Sequence, residues 1–294
     1  MQSQKRLRDE LRFVAEFNTL FDVVQQVAVS QLRRLEEVVS RQVALKERLE
    51  GEFMPLLPEQ ASTHPLVRGN GKAKLIIAMT SDEGMVGPLH TGVIREAMAK
   101  ADETTQWILI GQRGLRFLGD QPNVRVIPIP PEERAQEQCR RLTQFVLDAY
   151  RQNALGEVWL VSARFISMTR QDIFPQRLLP IAINANKRPQ DARELLTEPS
   201  VERVLEQLAQ VWIETVCLEA FWSAKRAEYA ARAMHVEVSR HELVRRSRKV
   251  RHDYFKAMHE RVDVMVRESC VVQHSVVAHR AAKMTPLAGV KGRA

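Results

Sequence analysis

Any chemistry in this chain has to come from a few groups of residues. The run Thr80-Ser81-Asp82-Glu83-Gly84-Met85-Val86-Gly87-Pro88 follows a short apolar segment, and glycines placed after a strand can turn backbone amides toward a phosphate. Gly84 and Gly87 form only a G-x-x-G, however, short of the G-x-G-x-x-G or G-K-[ST] patterns that build such a cradle. A tight strand-to-helix turn through Thr80, Ser81, Asp82, Gly84 and Gly87 is the simpler reading. Asp82 and Glu83 are adjacent, so their carboxylates point in different directions, unlike a general acid/base pair. Six of the eight histidines lie beyond Met234, at His235, His241, His252, His259, His274 and His279. None of them shares the i, i+4 spacing that offers two ligands to one metal, so they read as surface or partner-facing groups. Cys139, Cys217 and Cys270 show neither metal-site nor disulfide spacing and read as reduced packing residues. No cofactor and no metal is expected.

The remaining candidate is electrostatic. Arg240, Arg245, Arg246, Arg248, Lys249 and Arg251 place six cations within twelve residues. From Ser200 onward there are 17 Lys and Arg against 11 Asp and Glu, whereas the first 50 residues hold nine against eight. The run is either a solvated helix face or a contact for an acidic partner. Of the acidic partners nucleic acid fits less well than a protein surface, because no leucine heptads follow the basic stretch and few aromatics interleave it.

The elements that must position these groups follow from the interrupters. No Gly or Pro precedes Gly51 and none lies between Pro199 and Pro286, so two helices of about 50 and 86 residues, about 75 and 130 Å long, are expected to flank a compact middle. Val14, Phe17, Phe21, Val24, Ala28, Leu32, Leu35 and Val39 mark one face of the first helix, and Val201, Val204, Leu208, Val211, Tyr254, Met258, Val262 and Met265 one face of the second. Helices of that length need a lengthwise partner, and an antiparallel coiled coil of the two supplies it. Ala227, Ala230, Ala231 and Ala233 would permit close approach.

In the middle, Lys74–Met79, Gln106–Ile110, Val124–Ile129 and Val158–Ser162 read as strands, with helices over Gly92–Lys100 and Ala135–Arg151. That alternation predicts a mostly parallel sheet covered by helices. The fold class expected is therefore α/β, a long antiparallel coiled coil of N- and C-terminal helices with an inserted Rossmann-like α/β domain. Its parts are an N-terminal shaft helix at 1–53, the α/β domain at 54–198, a C-terminal shaft helix at 199–270 and a basic extension at 271–294. The composition, 45% hydrophobic, supports a core. No apolar run approaches the roughly 18 residues needed to span a bilayer, and the N-terminus lacks a signal-peptide segment, which predicts a soluble intracellular protein.

At the level of motifs the chain resembles the gamma subunit of F-type ATP synthases. Phe17-Asn18-Thr19 and Val27-Ala28-Val29-Ser30-Gln31-Leu32-Arg33-Arg34 are similar to that family's opening helix with its V-A-A-x-K-L-R-R-like stretch. Thr80 to Leu89 resembles its I-T-S-D-R-G-L-C-G-G-L-N signature, Gly111-Gln112-Arg113-Gly114 with Phe117 its G-x-K-G-x-x-F turn, and Phe165 to Leu178-Leu179-Pro180 its F-x-S…L-L-P-L segment. Glu228, Ala230, Ala231 and Arg232 match S-E-x-A-A-R-M-x-A-M, Tyr254 falls on the Y-N position and Glu268 on the terminal E-I-V element. The likeness covers about residues 7 to 270 in a single order. It departs at Glu83-Gly84-Met85-Val86-Gly87-Pro88 (R-G-L-C-G-G in the family), at Arg232-Ala233-Met234-His235-Val236 and at Met258-His259. Divergence of this kind resembles the alternate, N-ATPase-type enzymes.

The resemblance implies a mechanical part rather than an enzyme active site. It implies a central-stalk rotor standing in an α3β3 hexamer of α and β subunits, with its α/β domain on the c-ring beside epsilon. It further implies a peripheral position on the cytoplasmic face of a bacterial inner membrane, and coupling to H⁺ or Na⁺ that other subunits select. Arg240, Arg245, Arg246, Arg248, Lys249 and Arg251 would then meet an acidic lever loop of β. Two other classes compete: a nucleotide-dependent enzyme, which would need the phosphate loop that is missing, and a coiled-coil scaffold or nucleic-acid-associated protein.

Overall fold

The computed structural model describes residues 2–56, 63–69, 71–152, 154–182 and 200–283. Helix α1 spans Gln2–Arg48 and ends in a wide turn over Leu49–Phe53 and a tight one over Met54–Leu56. Helix α6 spans Val201–Lys283, 83 residues, and passes position 270 without interruption. Both lengths follow from the missing helix breakers. The tail beyond Lys283, with Pro286, Gly289 and Gly292, lies outside the described residues. The chain forms two compact units, Met1–Phe21 with Ser239–Ala294 and Asp22–Val238.

In the larger unit α1 and α6 run antiparallel, as the cross-helix contacts show. Gln25 donates to Glu237 at 2.8 Å, Arg226 pairs with Glu36 at 3.2 Å, Lys46 with Glu219 at 3.4 Å, and Trp212 Nε1 donates to Glu50 at 3.1 Å. Numbers rise on one helix as they fall on the other. In the smaller unit Arg246 of α6 meets Glu10 of α1 at 2.7 Å. Along α1 the expected stripe is the buried one: Val14, Phe21, Ala28, Leu32, Leu35 and Val39 are buried, and Phe17 and Val24 half-buried. Ala227, Ala230, Ala231 and Ala233 are buried as well.

Along α6 the expected stripe is wrong in two places. Val211 is 51% exposed, and the buried face is Leu205, Ala209, Trp212, Ile213, Val216 and Cys217. Helix α6 packs here on the sheet as well as on α1, and a wider face centred one position away wins over the narrow coiled-coil seam. Val262 and Met265, expected to face a helix partner, are also exposed. Cys139 and Cys217 pack in the core as expected, but Cys270 is exposed.

The inserted domain is a five-stranded sheet ordered β3-β2-β1-β4-β5, with β1 Ala73–Met79, β2 Thr105–Ile110, β3 Val124–Ile127, β4 Leu155–Ser167 and β5 Arg170–Leu179. Strands β1 to β4 pair in parallel and β5 is antiparallel to β4. Strand β5 was not expected from sequence, because Arg170, Gln171, Asp172 and Pro175 break the apolar pattern. It is an edge strand, where a proline's missing N–H is tolerated.

Alternate residues of the parallel strands feed two layers. On one side Leu75, Ile77, Ile108, Val158 and Leu160 pack with α5 (Ala135–Arg151) and with α6 from Ala209 to Ala220. On the other, Ile76, Ala78, Trp107, Leu109 and Val161 pack with α3 (Leu89–Met98) and with Ala227 of α6. Two single-turn helices, α2 at Pro65–Arg68 and α4 at Leu115–Leu118, complete the domain.

Candidate functional site: where the α/β domain meets the long helices

The motif between β1 and α3 is a closed turn. Asp82 accepts from the backbone amides of Gln112 at 2.7 Å and Ile129 at 2.9 Å, so one carboxylate ties the segments that follow β1, β2 and β3. Those amides are the kind of donor a phosphate would need, and the chain's own acid occupies them. Thr80 Oγ1 lies 3.0 and 2.9 Å from the carbonyl oxygens of Ile110 and Gly111. At Gly111, where φ is +89°, a Cβ would meet Ser81 N at 2.7 Å, so the close approach of the two loops requires glycine there. Met85 and Gly87 take φ of +64° and +59°, which folds the loop back before α3 begins.

Ser81 Oγ donates to the Glu83 carbonyl at 2.9 Å and lies 3.1 Å from Nε2 of His90, a buried residue the sequence did not single out. Burial holds the His90 imidazole below its ordinary range, and the positive charges of Arg113 and Arg232 push the same way.

This turn is fastened to α6 by one guanidinium. Arg232, 6% exposed, meets Glu228 one helical turn earlier at 2.5 Å, Glu83 of the loop at 2.9 Å and the Gly84 carbonyl at 3.4 Å. Adjacent Asp82 and Glu83 do diverge, one toward loop amides and the other toward the helix. Glu228 is buried, and burial lifts its carboxyl above the ordinary range against the opposing pull of Arg232. The sheet order reverses between β1 and β4, which in open α/β sheets is where a ligand crevice opens beyond the strand ends. Here Ala224 and Glu228 of α6 line that place together with Thr80, Ser81, His90 and Ala163.

The first helix is fastened too. Leu32 is buried, Arg33 is exposed with no ion-pair partner among the described residues, and Arg34 reaches both oxygens of Glu132, at 2.7 and 2.6 Å, just ahead of α5.

A third fastening carries residues that sequence reasoning missed. Glu219 of α6 is 1% exposed. Ser223 Oγ donates to its Oε1 at 2.8 Å, while its Oε2 faces Arg164 of β4 at 3.1 Å and Lys46 of α1 at 3.4 Å. Lys46 also donates to Gln176 of β5 at 3.0 Å, and the Arg164 guanidinium lies 3.8 Å from the centroid of the Phe174 ring. The available signal was two acids, Glu214 and Glu219, within the otherwise apolar run Val211–Trp222, since a charge is seldom fully buried unpaired.

In the smaller unit the basic run is divided. Arg245 pairs with Glu242 at 2.7 Å and Arg246 with Glu10, and Arg240 has a contact of its own. Arg248, Lys249 and Arg251 are exposed without ion-pair partners among the described residues. Tyr254 is half-buried beside Phe255, with ring centroids 5.9 Å apart. Glu268 is exposed and lines an open groove with Met265, Ser269, Val272, Gln273 and Val276.

The fold and these fastenings define a class: a protein in which two long helices, antiparallel in the larger unit, hold an inserted α/β domain through ion pairs. Comparison places it further. The ATP synthase family model matches residues 3–260. The chain is 24% identical over 267 residues to the ATP synthase gamma chain of Delftia acidovorans, covering 81% of this chain and 87% of that one. It is 25% identical over 262 residues to that of Bifidobacterium adolescentis, covering 80% and 86%. In fold it is similar to a chain of the Euglena gracilis mitochondrial ATP synthase, in the OSCP/F1/c-ring structure in rotational state 3, with a TM-score of 0.67, 15% identity and 99% of both chains covered. A chain of that enzyme's rotor gives 0.64 with 16% identity, over 89% of this chain and 99% of the other. The chain belongs to the gamma-chain family of the ATP synthases. No described helix is long and apolar enough to cross a membrane.

Proposed function

We propose that this chain is the central-stalk rotor of an F-type ATP synthase. Its two long helices stand inside a hexamer of α and β subunits, and its α/β domain rests on the c-ring beside epsilon, on the cytoplasmic face of a bacterial inner membrane. The observation that carries the reading is the family match running in one order through α1, the α/β domain and α6. Such a part works without making or breaking bonds. An asymmetric shaft contacts three catalytic sites differently in each orientation, and the differences in contact free energy couple rotation to the state of each site.

For that, the domain that receives rotation has to turn the helices with it. The pairing of Arg232 with Glu83, the bridge from Arg34 to Glu132 and the charge cluster at Glu219 join the domain to both helices. Arg248, Lys249 and Arg251, with Arg240, Arg245 and Arg246 beside them, are the proposed contact for an acidic lever of the β subunit. Exposed ion pairs are weak and screened by salt, so several must be reversed together for an effect.

The test is affinity isolation of the tagged chain from its native membranes, with subunit identification by mass spectrometry and an ATPase assay of the eluate. Recovery of α, β and c-type subunits with ATPase activity is expected. Recovery of nucleic acid, or of no ATPase subunits, would leave only the scaffold reading.

A further inference from the structure

The geometry points to Glu219 as a positioning residue that fixes the lengthwise register of α1 on α6. Elsewhere in the larger unit the buried seam is apolar or small, with Leu32, Leu35, Val39, Ala227, Ala230 and Ala231 along it, and the other polar cross-helix contacts, Gln25 with Glu237, Arg226 with Glu36 and Trp212 with Glu50, are part-buried or exposed. Apolar contact is non-directional, and a face that repeats every turn can be satisfied again after a slip of one turn, about 5.4 Å. Hydrogen bonds are directional and weaken steeply as their geometry is lost, and a buried charge carried away from its partner is costly. A buried polar group placed in an apolar helix seam therefore specifies register, often at a cost in stability.

The Glu219 cluster meets that description. One carboxylate, 1% exposed, collects Ser223 from its own helix, Lys46 from α1 and Arg164 from β4, and Lys46 passes the connection on to Gln176 of β5. A one-turn slip of α1 would carry Lys46 away from both Glu219 and Gln176, leaving its ammonium and the carboxylate buried without each other. The cluster also includes both strands of the β4–β5 hairpin, so the register of the helix pair and the seating of the domain are set by the same atoms. In the rotor reading, on which this functional consequence rests, a shaft of uncertain register would slip under load.

The test separates register from stability. The triple variant Lys46→Met, Arg164→Met, Glu219→Leu replaces the cluster with apolar groups of similar volume, an exchange that often leaves a fold as stable as before. In a Cys270→Ser background, spin labels at Glu37→Cys on α1 and Val211→Cys on α6, both exposed positions of the larger unit, report the register as a distance. The parent and the charge-preserving variant Lys46→Arg should each give one distance. The triple variant, with its unfolding midpoint unchanged, should give a second distance displaced by about 5 Å. In the assembled ATPase it should also move several-fold fewer ions per ATP hydrolysed. A single unshifted distance in the triple variant would overturn the inference. If the triple variant does not fold, Lys46→Met, which removes the α1 side chain from the cluster, is read by the same criterion. Because the distances are taken on the purified full chain, failure to find α and β partners would refute the rotor reading and leave the register result standing.

Discussion

Helix α6 behaves differently on the two sides of Val238. Up to that residue one face of it is enclosed by the chain itself, apolar and charged side chains alike: Ile213, Val216 and Ala227 lie at 0% exposure, and Glu219, Glu228 and Arg232 are buried with partners. Beyond Ser239 the same continuous helix keeps Phe255, Val262, Met265, Val272 and Val276 in the open, and Arg248, Lys249 and Arg251 are exposed. The first stretch is the more apolar of the two and the second the more highly charged, yet the second still carries large apolar side chains that this chain leaves uncovered. A helix left bare in a single chain is the part expected to meet other subunits, and a helix buried with its charges paired is the part expected to hold the domain.

The sharpest way to break that contrast is Glu219→Leu alone, which strands Lys46 and Arg164 without their carboxylate. It should cost about 3–5 kcal/mol in denaturant unfolding, far more than the apolar triple replacement. A cost under 1 kcal/mol would mean that the cluster is not a paired buried charge at all. Next in size, Ile213→Ala should cost about 2–5 kcal/mol by opening a cavity, while Val272→Ala on the bare stretch should stay within about 0.5 kcal/mol. Equal losses at the two positions would erase the distinction drawn between them.

A third prediction concerns pH. The folded chain resists protonating His90, so the stability this group contributes is present above about pH 6.5 and is lost as pH falls from there toward the depressed folded value. Glu228 acts oppositely, since burial raises its carboxyl: the ionised form costs stability, and acidification relieves that cost. Between pH 7.5 and 5.5 the His90 contribution should therefore make the unfolding midpoint of the parent fall more than that of His90→Gln. A slope unchanged in the variant would assign it to other groups. The smallest effect on the chain itself should come from reversing Arg248, Lys249 and Arg251 to Glu. Its stability should not change, while any association with an acidic partner should weaken and lose its salt dependence. Unchanged binding would remove these residues from the contact surface.

Much of this architecture was legible residue by residue. Helix α5 runs over Ala135–Arg151, as its spacing predicts, and β1 and β2 begin within a residue of the apolar runs that announce them. Strand β5 was not legible, because Arg170, Asp172 and Pro175 suit only an edge, and being an edge is a property of the whole sheet. The Thr80–Pro88 motif was legible as a turn. That Asp82 seals it and Arg232 fastens it was not, since the partners are about 30 to 150 residues away.

By itself the sequence determined that two long helices enclose an α/β domain. Helix breakers and apolar period act over a few neighbours and can be counted along the chain. Only the tertiary structure decided which face of α6 is core, that Val211 is outside and Ile213 inside, and that Glu219 is a paired centre rather than an exposed acid. Those outcomes depend on which surfaces compete for the same helix face and on charges that meet only after the chain has folded, and neither is encoded in local spacing.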